Sequence, residues 1–309
     1  MNKAAWMSGK YGIMVHYLTH IAGADGKKRL SAEEMANGFD VKGFADSVEK
    51  MGASWVIFPF GQNTGYYWSE NPVIEERIPG RCTKRDLICE LADELHNRGI
   101  RFIAYLPVEV DFQEEDIRKV FRWNESEDRK EFMEIWTAVV RYYAEKLGKR
   151  LNGWWFDGAY DAAEKDFTIT KDWNNKRFDR DEWFAATKAG NPDAIIGMNT
   201  GANIMGCVFE EEEYLPGEVN DLTKLPWDYE SRDKQWHALT YLDCFWMLSE
   251  GNTMPEPRFT NEELYGYVKE CTDKKGAVTL NIGIDENGNL AYKTVEQICG
   301  LKKLLTMKD

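Results

Sequence analysis

Residues 153–158 read Gly153-Trp154-Trp155-Phe156-Asp157-Gly158, and the fold turns on what this stretch is. Three large apolar residues in a row leave no polar face, so the run reads as a strand buried on both sides. Its neighbours repeat the motif. Upstream lie a long helical pattern over 130–147 and the apolar run 101–106 (RFIAYL). Before them comes a helix over 85–98, with Leu87, Ile88, Leu91 and Leu95 on one face and Gly99 at its end. Further back are 55–60 (WVIFPF), a helix over 41–51 with Phe44 and Val48 at i, i+4 spacing, and 11–16 (YGIMVH). Downstream are a helix over 181–188, the runs 194–199 (AIIGMN), 206–210 (GCVFE) and 235–242, a helix over 261–271, the run 277–282 (AVTLNI) and a closing helix over 294–305.

Eight short apolar strands with helices between them predict a parallel sheet covered on both faces, and closed into a ring that is a (β/α)8 TIM-type barrel. An open doubly wound sheet is the alternative; no GxGxxG or GxxxxGK[ST] follows any strand to support it. The 309 residues allow either two domains of about 150 or one barrel of about 250. No Pro/Gly/Ser-rich linker, repeat or low-complexity tract divides the chain, so one domain over 1–309 is expected.

Composition narrows the function. Lys and Arg number 39 against 53 Asp and Glu, a net charge of −14 that argues against a phosphate-binding surface and hence against nucleic acid. No run of about 18 apolar residues is present, so no membrane-spanning helix is expected. The six cysteines (Cys82, Cys89, Cys207, Cys244, Cys271, Cys299) form no CxxC pair and read as reduced. With no apolar leader pattern at the N-terminus, a cytoplasmic location is expected. The chain is rich in rings, with 12 Trp, 14 Tyr and 15 Phe. Acidic and aromatic together lean toward sugar chemistry.

In a barrel, chemistry sits at the C-terminal strand ends. Those ends offer His16, Gln62, Asn63, Glu109, Asp111, Asp157, Asn199, the acids 210–213 and Asn281. This set is rich in carboxylates and amides. Its single His makes no histidine-rich metal site, and no cofactor or metal is expected. Asp157 is the sharpest candidate, a carboxylate closing an apolar strand beside Gly158. The run Glu210-Glu211-Glu212-Glu213 reads as a solvated loop, because adjacent like charges repel. Glu218 stands apart, after the turn Pro216-Gly217. Asp157 with one Glu would supply the two carboxylates that glycoside hydrolysis needs. His237, in an apolar segment, reads as a satisfied core histidine. Of Trp154 and Trp155, alternation sends one inward and the other against a helix.

These residues carry a resemblance. YGIMVH at 11–16, Arg85-Asp86-Leu87, RFIAY at 101–105, Trp155-Phe156-Asp157-Gly158, the loop Glu213–Glu218, Pro226-Trp227-Asp228 and LNIGID at 280–285 are similar, in order, to motifs of the α-L-fucosidases of glycoside hydrolase family 29. The resemblance implies a retaining double displacement in which Asp157 is the nucleophile and Glu218 the acid/base. From their places at strand ends and in the following loops, His16, Gln62, Asn63, Tyr66, Tyr105, Trp155, Asn199, Tyr214 and Trp227 are expected to hold the sugar, the amides of Gln62 and Asn63 by donating and accepting. The family's C-terminal β-sandwich is not expected, since one helix follows the last strand. The departures are specific. Gln62 and Asn63 stand where the family has two imidazoles, Leu106 replaces a Tyr, and Asn199-Thr200-Gly201 lacks the family's Arg. An altered shell around retained carboxylates points to a fucosidase-like glycosidase acting on a carbohydrate substrate. The alternatives are a glycosidase for another sugar and a non-catalytic sugar-binding barrel. A homo-oligomer is compatible with either.

Overall fold

The computed structural model describes residues 2–62, 64–110, 114–125, 129–159, 179–204, 206–225 and 233–307. Among the described residues there are seven strands: β1 (Lys10–Met14), β2 (Trp55–Pro59), β3 (Arg101–Pro107), β4 (Gly153–Asp157), β5 (Ile195–Met198), β6 (His237–Tyr241) and β7 (Ala277–Asn281). Every pairing is parallel, and the order is β5-β4-β3-β2-β1-β7-β6. The two sheet edges are therefore consecutive strands of the chain, as a curled sheet compatible with a (β/α)8 barrel requires.

Helices fill the crossovers: α1 (Ala32–Gly38), α2 (Val41–Met51), α3 (Pro72–Glu75), α4 (Leu87–Asn97), α5 (Glu115–Val120), α6 (Lys130–Leu147), α7 (Arg180–Thr187), α8 (Asn261–Asp273) and α9 (Tyr292–Thr306). Their starts are written locally. Ser31 with Glu34 and Thr260 with Glu263 form capping boxes, and Asp40 and Asp86 accept the N–H groups of Gly43 and Cys89. Among the described residues no helix is long and apolar enough to cross a membrane.

Strand alternation sorts side chains into two layers. Val56, Phe58, Phe102, Ala104, Leu106, Trp154 and Phe156 face the helices, where α6 presents Phe132, Trp136, Val139, Val140 and Tyr143. Trp154 donates to the Thr187 carbonyl at 2.9 Å, and Trp136 to that of Pro107 at 2.8 Å, so each indole finds a partner as it is buried. The inner layer is Met14, Trp55, Ile57, Ile103, Tyr105, Trp155, Ile195, Tyr214 and Leu239. The 3-10 turn Lys3–Met7 lies beneath it, with Trp6 edge-on to Trp55 at 5.9 Å. Burying each large inner ring stabilises the fold by roughly 3 kcal/mol or more before ordering entropy.

The expected sixth strand, 206–210, is bend and turn instead. The N–H groups of Val208 and Phe209 point to Glu212 Oε1 at 2.6 and 2.8 Å, so they are not available to a ladder. Between the two edges lie residues 213–219. Toward β6 they pair through Leu239 N to Gly217 O and Val219 N to Leu239 O, both 2.7 Å, and through reciprocal bonds of Gln235 with Glu213 and Leu215 at 3.1 Å. Toward β5, Glu213 N donates to Ile196 O at 3.0 Å. The N–H groups of Ile196 and Met198 are taken by the carboxylates of Glu213 and Glu212, at 2.9 and 2.8 Å. Two acids of the run therefore serve as acceptors for a sheet edge. This corrects the solvated-loop reading for both. Glu212 is buried, and burial pushes its carboxyl up to about 8 against the pull of its three N–H partners. Lys188 pairs with Glu213.

Gly217 makes this arrangement possible. Its φ is +67°, and a Cβ there would lie 2.0 Å from the His237 carbonyl oxygen, a backbone atom that has nowhere to go. We expect Gly217→Ala to lower the free energy of unfolding by about 3 kcal/mol or more, measured by chemical denaturation. The control is Gly266→Ala inside α8, where a Cβ meets nothing within 4 Å. It should raise stability by about 0.5–1 kcal/mol.

Candidate active site

The C-terminal strand ends bring together most of the residues singled out in the sequence. Asp157 ends β4, Asn281 ends β7, His16 follows β1, Gln62 follows β2, Asn199 follows β5, and Tyr105 lies near the end of β3. Glu218 sits in the span between β5 and β6, where it bridges to Leu239.

Asp157 and Glu218 are joined through one side chain. Asn199 Nδ2 donates to Asp157 Oδ1 at 3.0 Å and to Glu218 Oε2 at 2.5 Å. Two oxygens bonded to one nitrogen at those lengths are at most about 5.5 Å apart. Asn199 Oδ1 accepts from Gly201 N at 3.0 Å, which fixes which way the amide faces. Asp157 also accepts from Tyr105 Oη at 2.8 Å and from Gly158 N at 3.0 Å, and Gln62 donates to the Tyr105 hydroxyl. A glycine is required at 158, because its φ is +87° and a Cβ would press on buried Glu109 at 3.1 Å.

Asn199 and Tyr105 thus hydrogen-bond the carboxylates, and Gln62 reaches them through Tyr105. Trp155 is buried in the inner layer, edge-on to Tyr105 at 5.0 Å, and its indole reaches the Pro216 carbonyl at 3.4 Å. Tyr214 is buried beside it and donates to Trp154 O at 2.9 Å. Both pack in the inner layer. Tyr66 lies under the Arg81 guanidinium at 4.5 Å, lining a surface cavity of about 300 Å³ with Leu30, Glu33 and Thr83. Asn63, Asp111 and Trp227 lie outside the described residues.

His16 is placed as expected, and its state can be read. Its Nδ1 meets Asn281 Oδ1 at 2.8 Å, while Asn281 Nδ2 donates to Trp246 O at 2.9 Å. An amide oriented by a carbonyl offers its oxygen to the ring, so Nδ1 carries the proton and Nε2 is an acceptor. Burial holds His16 down to about 4, only partly offset by Asn281 and by the charge of Asp157, so the ring is neutral at working pH. His237 confirms the satisfied-core reading. Its Nδ1 faces the carbonyls of Leu215 and Pro216 at 2.9 and 3.1 Å, and its Nε2 faces Thr279 Oγ1 at 2.7 Å. Burial lowers it too, to about 4.

Sequence reasoning missed Trp246. Its ring stands 5.7 Å from that of His16, in a loop with no periodicity to flag it. Among the described residues no cluster of three or more His, Cys, Asp or Glu is arranged to hold a metal. A cavity of about 910 Å³ is lined by Lys3, Trp6, His96, Arg101 and Lys149 at the opposite end of the strands.

The two histidines give a pH prediction. Unfolded, each binds a proton near pH 6.5; folded, only near 4, so the unfolded state gains protons first on acidification. Stability is complete above about 6.5 and is lost as pH falls toward 4, by up to about 3 kcal/mol per ring. Denaturation midpoints measured across this window should fall, and the slope should flatten in His237→Gln.

Comparison with known proteins follows the same lines. Residues 2–308 match the alpha-L-fucosidase family model. No curated protein is matched in sequence. The endo-fucoidan hydrolase P5AFcnA from glycoside hydrolase family 107 superposes with a TM-score of 0.71 at 16% identity, over 99% of this chain and 94% of that one. Alpha-L-fucosidase AlfC from Lactobacillus casei, in complex with its alpha-L-fucose product, superposes with a TM-score of 0.64 at 16% identity, over 98% and 97%. At such identities the structural likeness speaks for the fold, while the family model spans almost every residue. The chain belongs to the alpha-L-fucosidase family.

Proposed function

We propose that the protein is a retaining glycosidase that removes a terminal sugar, with Asp157 as nucleophile and Glu218 as acid/base. The observation that carries this reading is the single Asn199 amide holding an oxygen of each carboxylate within about 5.5 Å of the other. Retaining enzymes keep their carboxyl groups about 5–5.5 Å apart, whereas inverting enzymes need roughly 6.5–9.5 Å to admit water. In the first step an Asp157 oxygen bonds to the anomeric carbon as the glycosidic C–O bond breaks, and Glu218 gives its proton to the departing oxygen. In the second, Glu218 takes a proton from water, the water oxygen bonds to the anomeric carbon, and the Asp157 ester bond breaks. Two inversions restore the starting configuration. Neutral His16 contributes Nε2 as an acceptor for a sugar hydroxyl.

The whole chain is read as one catalytic domain, a (β/α)8 barrel in which residues 213–219 occupy the eighth position without regular strand geometry. Its irregularity suits its task, since Glu218 comes from this span. Fucose is the sugar that family membership favours. A different sugar is the second reading, because Gln62 stands in place of a family imidazole and its amide is directed to Tyr105. A site built on hydrogen bonds discriminates strongly between hydroxyl patterns, so such a change alters the glycone accepted.

A panel of aryl α-L- and β-D-glycosides tests the activity. We expect turnover on an α-L-fucoside or a stereochemical relative, and a loss of at least about 10⁴-fold in Asp157→Asn with the fold retained by circular dichroism. Wild-type activity in that variant sinks the assignment; saturable binding without turnover on any member supports the non-catalytic reading instead. For Glu218, azide should rescue Glu218→Ala, giving a glycosyl azide of retained configuration. It should not accelerate a Glu213→Ala control, whose carboxylate belongs to the sheet edge.

A further inference from the structure

The loop after β6 carries rings that the chemistry above does not use. Trp246 has φ +61°, and Met247 N returns to Phe245 O at 2.8 Å, so residues 245–247 form a γ-turn of the rare, strained hand. A bulky residue persists there only where its surroundings over-determine it. Here the Trp246 carbonyl is held by Asn281, the residue that also orients His16. The turn sends the two adjacent rings to different places. Trp246 goes toward His16, while Phe245 is left 68% exposed, edge-on to Tyr241 at 5.3 Å. Tyr241 is itself 5.2 Å from Trp246, so the three rings form a continuous wall running outward from the candidate site.

Arg258 ties this wall to the segment that follows Glu218. Its guanidinium lies 3.7 Å from the centroid of the Tyr241 ring and donates to the carbonyls of Tyr241 and Asn220 at 2.9 and 3.0 Å. Asn220 is two residues past Glu218, so the wall is fastened to the segment that carries the acid/base. A general acid must stand beside the oxygen that leaves. The exposed ring therefore flanks the leaving-group side. It has no polar atom, and the Arg258 guanidinium against Tyr241 spends two N–H groups on carbonyls, so the surface suits the C–H face of a neutral sugar ring.

We propose that Phe245, backed by Tyr241, is the subsite for the pyranose ring on the leaving-group side of the scissile bond, so that the substrate is an oligosaccharide and not a simple glycoside. This rests on the reading of Glu218 as acid/base. The test compares two substrates of the sugar that the panel identifies: its glycosyl fluoride, whose leaving group has no ring, and a disaccharide bearing it at the non-reducing end. The ratio of kcat/KM for the disaccharide to that for the fluoride should fall about tenfold in Phe245→Ala and hold its wild-type value in Phe245→Tyr, which keeps the ring. A wild-type ratio in Phe245→Ala overturns the proposal. So does a change of oligomeric state on substitution, measured by light scattering, which would assign the ring to contact with a second copy of the chain. If the wild type cleaves neither substrate, the glycosidase reading itself falls and takes this one with it.

Discussion

The mouth of this fold depends on how the gap between β5 and β6 is spanned. The span runs so close to β6 that a Cβ on Gly217 would stand 2.0 Å from the His237 carbonyl. From that approach the rest follows. Leu239 and Val219 close their bonds, His237 turns its Nδ1 to the carbonyls of Leu215 and Pro216, and Trp155 reaches Pro216 from the other side. The residue after Gly217 is Glu218. Its position is set by backbone contact with the sheet rather than by a free loop.

The second edge is satisfied by side-chain carboxyl oxygens. Ile196 and Met198 of β5 would present unpaired N–H groups, which cost about 1–3 kcal/mol each when buried without a partner. Carboxylates from Glu213 and Glu212 accept both. The same strand then delivers Asn199 one residue beyond its end, and that amide joins Asp157 to Glu218. The elements that complete the sheet are thus the ones that bring the two acids together, so stability and site geometry are coupled through residues 198–218.

Much of this was legible in the sequence. The runs that became β1 to β5 and β7 are near-continuous apolar stretches, and tertiary burial on both faces is what such runs encode. The place of Asp157 was legible, because a carboxylate closing GWWFD falls at the C-terminal strand ends, where Tyr105 and Asn199 meet it. Glu218 was legible once Gly217 marked a turn before it. What the sequence concealed has a common cause, long-range pairing. Rules based on neighbours along the chain price Glu212 and Glu213 as solvent-exposed acids and have no way to register an edge strand that needs acceptors. Nothing local shows that Asn199 and Tyr105 hydrogen-bond the carboxylates or that Gln62 donates to Tyr105. Trp246 escaped because its left-handed backbone is imposed from outside, by Asn281.

The central claim is that Asp157, held opposite Glu218 by Asn199, forms a covalent bond to the sugar. The most direct measurement is trapping with a fluorinated glycoside of the accepted sugar that forms the intermediate quickly and releases it slowly, followed by proteolysis and peptide mass mapping. The account predicts one sugar per chain, attached to the peptide that contains Asp157. A sugar on another carboxylate, such as Glu218 or Glu109, or turnover of the reagent with no adduct and inverted product, would contradict it.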